Sequence, residues 1–238
     1  MLTEANHWID IVGAAVDALL LCRVLMLRLQ RVYVFITLAC LVNLFFDGIY
    51  LWLANDANAS ERVLVYSRFL YLFLFPLAGW DVFEEMKPQI AKLRRMALGR
   101  LLSGLFFAVL FGFLMTFLAA PNDASGPALM LTLAIVLWAG SSTATLAFLW
   151  TLDRAIRAQN IPRPHNTAIW IVFWQLNLLG EVLSCFYILL SMAFQHTAMS
   201  DVVGLLFGAY GIAITLWCIL KLRALPSDVP SAPASAKS

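Results

Sequence analysis

The stretch Tyr33–Leu53 reads Y-V-F-I-T-L-A-C-L-V-N-L-F-F-D-G-I-Y-L-W-L, one amide and one acid in an otherwise apolar run. A bilayer core of about 30 Å is crossed by about 20 residues of helix. Lipid offers no partner to backbone N–H and C=O groups, so such a run must form a helix. Asn43 and Asp47 lie four residues apart and share one helix face. This one segment predicts both a membrane span and a polar stripe inside it.

Six more runs of the same kind flank it: Trp8–Leu27, Val63–Phe83, Leu101–Ala120, Leu129–Thr151, Ala168–Phe194 and Met199–Leu222. Turn-forming residues separate them, as in N-D-A-N-A-S from Asn55, P-N-D-A-S-G-P from Pro121 and I-P-R-P-H-N from Ile161. Across 238 residues, 62% are hydrophobic and 13% charged, against roughly a quarter charged in an average soluble domain. A soluble globular domain, a disordered chain and a nucleic-acid partner are thereby excluded. The expected fold is all-α: a polytopic membrane protein with seven transmembrane helices over residues 1–225. Residues 226–238, rich in Pro, Ala and Ser, are expected to form a disordered cytoplasmic tail with no lipidation or retention signal.

Net charge is +2, but its placement is lopsided. Fourteen of the sixteen Lys and Arg fall in the first, third and fifth loops and the tail; Arg62 and Arg68 are the exceptions. By the positive-inside rule the N-terminus is outside and the C-terminus cytoplasmic, in a bacterial-type inner or plasma membrane. The first run has three arginines after it and no basic stretch before it, the reverse of a signal peptide. Trp8 and Trp52 near the outer ends, and Trp80, Trp150, Trp170, Trp174 and Trp217 near the inner ends, fit aromatic belts; Trp138 falls mid-span. Residues Pro88–Arg100 read as an ordinary basic loop, with a short helix lying on headgroups as the rival.

Deep polar residues carry the functional signal, because a charge at the bilayer centre costs about 2.5–3.5 kcal/mol on insertion scales. Asp17, Asn43 and Glu181 fall at mid-span; Asp47 lies one turn outward of Asn43, Asn177 one turn inward of Glu181, and Gln175 deeper toward the inside. Asp47 and Arg68 lie at similar depth on helices joined by a short loop, which predicts an ion pair between them. Asp17 and Glu181 have no basic residue at their depth, so each is either protonated or facing water. Asp10, Asp81, Glu84 and Glu85, near helix ends, read as solvated interfacial charge without a role. Pro76 should kink the third helix and free a carbonyl. The hydroxyls of Ser141, Ser142, Thr143 and Thr145 can bond their own helix, and Gly204 and Gly208 form a helix-packing G-x-x-x-G.

N-L-F-F-D at Asn43–Asp47 has a counterpart 134 residues later in N-L-L-G-E at Asn177–Glu181. The same offset carries the third run onto the seventh. A 3+1+3 parallel repeat, with the fourth helix as linker, would explain this. Against it, Asp17 has no acidic counterpart in the fifth run.

No catalytic or metal-binding set is evident, and no cofactor is expected. His7, His165 and His196 sit at or beyond helix ends, which argues against haem or an intramembrane zinc site. The seventh run has no lysine except Lys221 at its inner end, which argues against a retinal Schiff base, and no nucleophile or phosphate-loop motif appears. The four cysteines lie in apolar runs and read as small hydrophobes. An enzyme on lipids therefore ranks last. The expected binding residues are Asp17, Asn43, Asp47, Arg68, Asn177 and Glu181. The leading expectation is a small proton-coupled transporter of a polar solute, with protons and that solute as ligands and the lipid bilayer as surroundings. The alternative is a seven-helix sensor or receptor-like subunit that acts through a separate membrane or cytoplasmic partner protein.

Overall fold

The computed structural model describes residues 2–53, 56–86, 94–119, 126–194 and 200–225. Among them are seven α-helices and no strand: α1 (Leu2–Met26), α2 (Val34–Trp52), α3 (Ala57–Met86), α4 (Arg94–Ala119), α5 (Gly126–Ala158), α6 (His165–Phe194) and α7 (Ser200–Lys221). Five of them, α2, α3, α5, α6 and α7, contain stretches long and apolar enough to cross a membrane. Their outer faces carry large exposed hydrophobics such as Leu220, Phe45 and Phe73. A soluble protein does not present so much apolar surface to water. The class is a multi-pass integral membrane protein. The tail 226–238 and residues 87–93 of the basic loop lie outside the described residues.

Six helices close a ring in the order α1, α2, α3, α5, α6, α7 and back to α1. Helix α3 also touches α6 across the ring, and α4 packs on the outside against α5. Small residues let these seams close. A Cβ on Gly79 of α3 would lie 3.2 Å from Thr145 of α5, and one on Gly208 of α7 would collide with Ile9 of α1. Gly208 thus serves helix packing, as the G-x-x-x-G reading expected.

The turns follow from local chemistry. Between α1 and α2 the chain reverses through Arg28 (φ 56°) and a single 3-10 turn, Leu29–Arg31. Fully buried Leu29 and Tyr33 anchor that corner. At the end of α5, Asn160 takes the left-handed conformation (φ 51°) that its short amide tolerates. Ile161 N–H then reaches back to the Ile156 carbonyl at 3.1 Å, closing the helix before Pro162 and Pro164.

Helix ends at the basic side are capped by other helices. The Ile36 N–H, in the first turn of α2, donates to Asp81 Oδ2 of α3 at 2.8 Å. Asp81 is 6% exposed. It is therefore no solvated interfacial charge; it is an anion set against a helix N-terminus. At the other polarity, carbonyls at and just beyond the end of α7 accept from Arg23 (to Leu222, 3.1 Å), His165 (to Lys221, 2.9 Å) and Asn166 (to Arg223, 2.8 Å). Glu85 is likewise engaged, accepting from the hydroxyls of both Tyr33 and Thr167.

Pro76 lacks the N–H that would bond the Leu72 carbonyl, four residues earlier. Ser141 of α5 donates its hydroxyl to that carbonyl at 2.8 Å. Thr143 instead bonds its own helix at Ala139, 2.8 Å away, so only one of these two hydroxyls behaves as the sequence suggested. Ser141→Ala should cost about 1 kcal/mol of stability by orphaning the Leu72 carbonyl. Pro76→Ala restores the backbone donor, so the double variant should recover that loss. A double-mutant cycle of thermal unfolding in detergent reads the coupling, and additive losses would contradict it.

Candidate functional site

A cavity of about 730 Å³ lies inside the ring, and Asp17, Asn43, Asp47, Arg68, Asn177 and Glu181 all line it. One wall is α1, from Asn6 and His7 down to Leu20, a rise of about 21 Å. The first turns of α1 and α3 (Asn6, Ser60) and the last turn of α2 (Leu51) form its mouth, at the end away from the basic loops. Asp10 also lines it, so this acid, expected as solvated interfacial charge, faces the cavity.

The floor is aromatic. Tyr71 stacks on Phe75 with centroids 5.1 Å apart and planes 13° apart. Phe75 meets Trp174 edge-on at 5.9 Å, and Trp174 meets Phe173 at 5.5 Å. Beyond this layer, toward the basic end, stand Tyr33, Glu85 and Thr167, with Tyr33 and Thr167 oxygens 3.1 Å apart. Both Tyr33 and Thr167 are fully buried. The cavity is thus closed at its basic end by two layers, one apolar and one polar.

The charged residues do not pair as their depths suggested. No Asp47–Arg68 ion pair forms; the carboxyls of Asp47 and Asp17 lie beside one another on the cavity wall. The two differ in azimuth: Asp47 turns toward α1, whereas Arg68 turns toward α5. The Arg68 guanidinium lies 3.3 Å from the centroid of the Trp138 ring and 5.8 Å from that of Tyr71. Its acidic neighbour is Glu181, across the ring on α6. Asp17 therefore has a partner, though not a basic one, and Glu181 has a basic residue within electrostatic reach.

Two carboxylates brought side by side repel strongly, which favours a proton shared between them. Asn43 Oδ1 accepts from the Tyr71 hydroxyl at 2.6 Å, which fixes the amide so that its NH₂ remains available. Asn177 makes no hydrogen bond among the described residues. Sequence reasoning missed Tyr71, Trp138, Tyr33 and Thr167 because aromatic and hydroxyl side chains in an apolar run look like ordinary packing.

Cys40, Cys185 and Cys218 are buried, Cys22 is exposed, and all four are free thiols. Among the described residues no group of three or more His, Cys, Asp or Glu side chains could hold a metal ion. No protein-family model matches the chain, nor does any curated protein or solved structure.

Asp17→Asn keeps a donor toward Asp47 and should stay close to wild type in thermal stability. Asp17→Leu leaves Asp47 without its partner and should lose about 1–3 kcal/mol. Equal stability of the two variants would show that the carboxyl pair contributes nothing to the fold.

Proposed function

We propose that the chain is a small proton-coupled transporter of a polar solute. The observation that carries this reading is the meeting of all six expected binding residues on one cavity, with the Asp17–Asp47 pair along its wall. The pair exchanges one proton as a solute arrives or leaves. The amides of Asn43 and Asn177 hold the solute's polar groups, with Glu181 and Arg68 beside them. A polar pocket closed at one end suits the outward-facing half of a transport cycle. In that cycle the Phe75–Trp174 floor and the Tyr33–Glu85–Thr167 cluster form the inner barrier.

We place seven helices across the membrane, adding α1 and α4 to the five apolar spans, with the basic end cytoplasmic. A 3+1+3 repeat underlies the ring in this reading. Exchanging α1 with α5, α2 with α6 and α3 with α7 converts the α1·α2, α2·α3 and α1·α7 contacts into α5·α6, α6·α7 and α3·α5, all of which occur. Tyr33 and Thr167 are separated by 134 residues, the offset that relates Asn43 to Asn177 and Asp47 to Glu181. Equivalent residues touch when they lie on the axis relating two repeats, and the Tyr33–Thr167 contact supports that reading.

In proteoliposomes bearing an inside pH dye, a screen of small polar solutes should find one that moves protons. That flux should fall at least about tenfold in Asp17→Asn and in Glu181→Gln. Unchanged flux in both variants would overturn the proposal. Solute binding with no flux would favour the sensor reading, in which the basic loops engage a partner protein.

A further inference from the structure

A second cavity, of about 440 Å³, lies on the outside of the ring between α5 and α6. Its α5 side is Leu146, Trp150, Asp153, Arg154 and Arg157, spaced so that all fall on one helix face. From Leu146 to Arg157 the groove runs about 16 Å along the helix, the reach of a headgroup and the upper part of an acyl chain. Trp150 and Leu179 are exposed here, so the groove faces the surroundings and not the ring.

Its charge is unbalanced. Asp153 is buried and held by Arg157 at 2.7 Å and by Arg163. That one carboxylate is outnumbered by three arginines, and Arg154 is exposed with no ion pair among the described residues. Deeper in the groove Gln175 presents an amide, which in hydrocarbon needs a polar partner. Beyond it Leu146, Leu176 and Leu179 are apolar. The order along the groove is cationic, then amide, then aliphatic. A phospholipid has the matching order of phosphate, ester and chain, and Trp150 suits the interface between them.

We propose that the α5–α6 groove binds one anionic phospholipid in the leaflet at the basic end of the bundle. Arg154 and Arg157 take the phosphate, the Gln175 NH₂ donates to a glycerol ester carbonyl, and one chain lies along Leu146, Leu176 and Leu179. The surplus positive charge selects an anionic over a zwitterionic headgroup. This site is separate from the central cavity and does not depend on what that cavity carries.

Native mass spectrometry of the full chain in mild detergent, with dioleoyl phosphatidylglycerol or dioleoyl phosphatidylcholine added, tests the assignment. One phosphatidylglycerol should be retained, with phosphatidylcholine held at least about fivefold more weakly. Arg154→Gln should weaken phosphatidylglycerol binding about fivefold, the equivalent of about 1 kcal/mol for one basic side chain. Leu179→Trp fills the groove without changing charge and should expel the lipid while the protein unfolds at its usual temperature. Equal retention of the two lipids, or undiminished binding in both variants, would overturn the proposal. So would a dimer whose formation excludes lipid, since the groove would then belong to a second copy.

Discussion

Hydrocarbon supplies no hydrogen-bond partner, so a polar group drawn into it must find one within the protein. The Leu72 carbonyl, freed by Pro76, is met by Ser141 of the neighbouring helix. The first turn of α2 is met by Asp81, and the end of α7 by Arg23, His165 and Asn166. Each contact links two helices that are not consecutive or are joined by a loop. Satisfying the backbone and fixing the order of helices in the ring are therefore one and the same task. A helix moved to another place in the ring would leave several of these groups without a partner.

Arg68 shows how the same constraint works on a full charge. A guanidinium in the span costs about 2.5–3.5 kcal/mol on insertion scales. A desolvated cation–π contact returns about 2 kcal/mol or more, and the Trp138 face is the near one at 3.3 Å. The aromatic contact offsets part of that cost. Arg68 thus meets Trp138 of α5, while Asp47 lies beside Asp17 of α1. The carboxyl pair and the stacked arginine both follow from the azimuths at which α2 and α3 sit in the ring.

What could be read from the sequence was position along the membrane normal. Helix existence, depth of Asp17, Asn43, Asp47, Arg68, Asn177 and Glu181, and the freed carbonyl near Pro76 all follow from hydropathy and rise per residue. Azimuth did not follow. Helices buried on one side and in lipid on the other are apolar all round, so no amphipathic stripe tells which face looks inward. That is why Asp47 was matched to Arg68 by depth and meets Asp17 instead. It is also why Asp81 and Glu85 looked like solvated ends: a helix terminus approached by a neighbour's carboxylate leaves no trace in the local sequence. Trp150 and Trp52 do sit exposed as belt residues should, whereas Trp170 and Trp174 are core, again a distinction of azimuth and not of depth.

The ring is not equally thick all round. In the apolar stretches of α3, α5 and α6, 39% of residues are buried, against 17% in those of α2 and α7. Helix α4 adds to the thicker half by packing on α5, and among the described contacts the α1–α7 seam has no such buttress. Interiors resist deformation in proportion to how closely they are packed. The packing that backs the cavity wall is therefore weakest at α2 and α7. Those two helices carry Asp47 and Asn43 on one side of the cavity and Thr215 on the other. Helix α1 stands between them and packs on both, so this side of the ring holds the Asp17–Asp47 pair and Asn43 together, facing Arg68 of α3 and Glu181 of α6 on the thicker side.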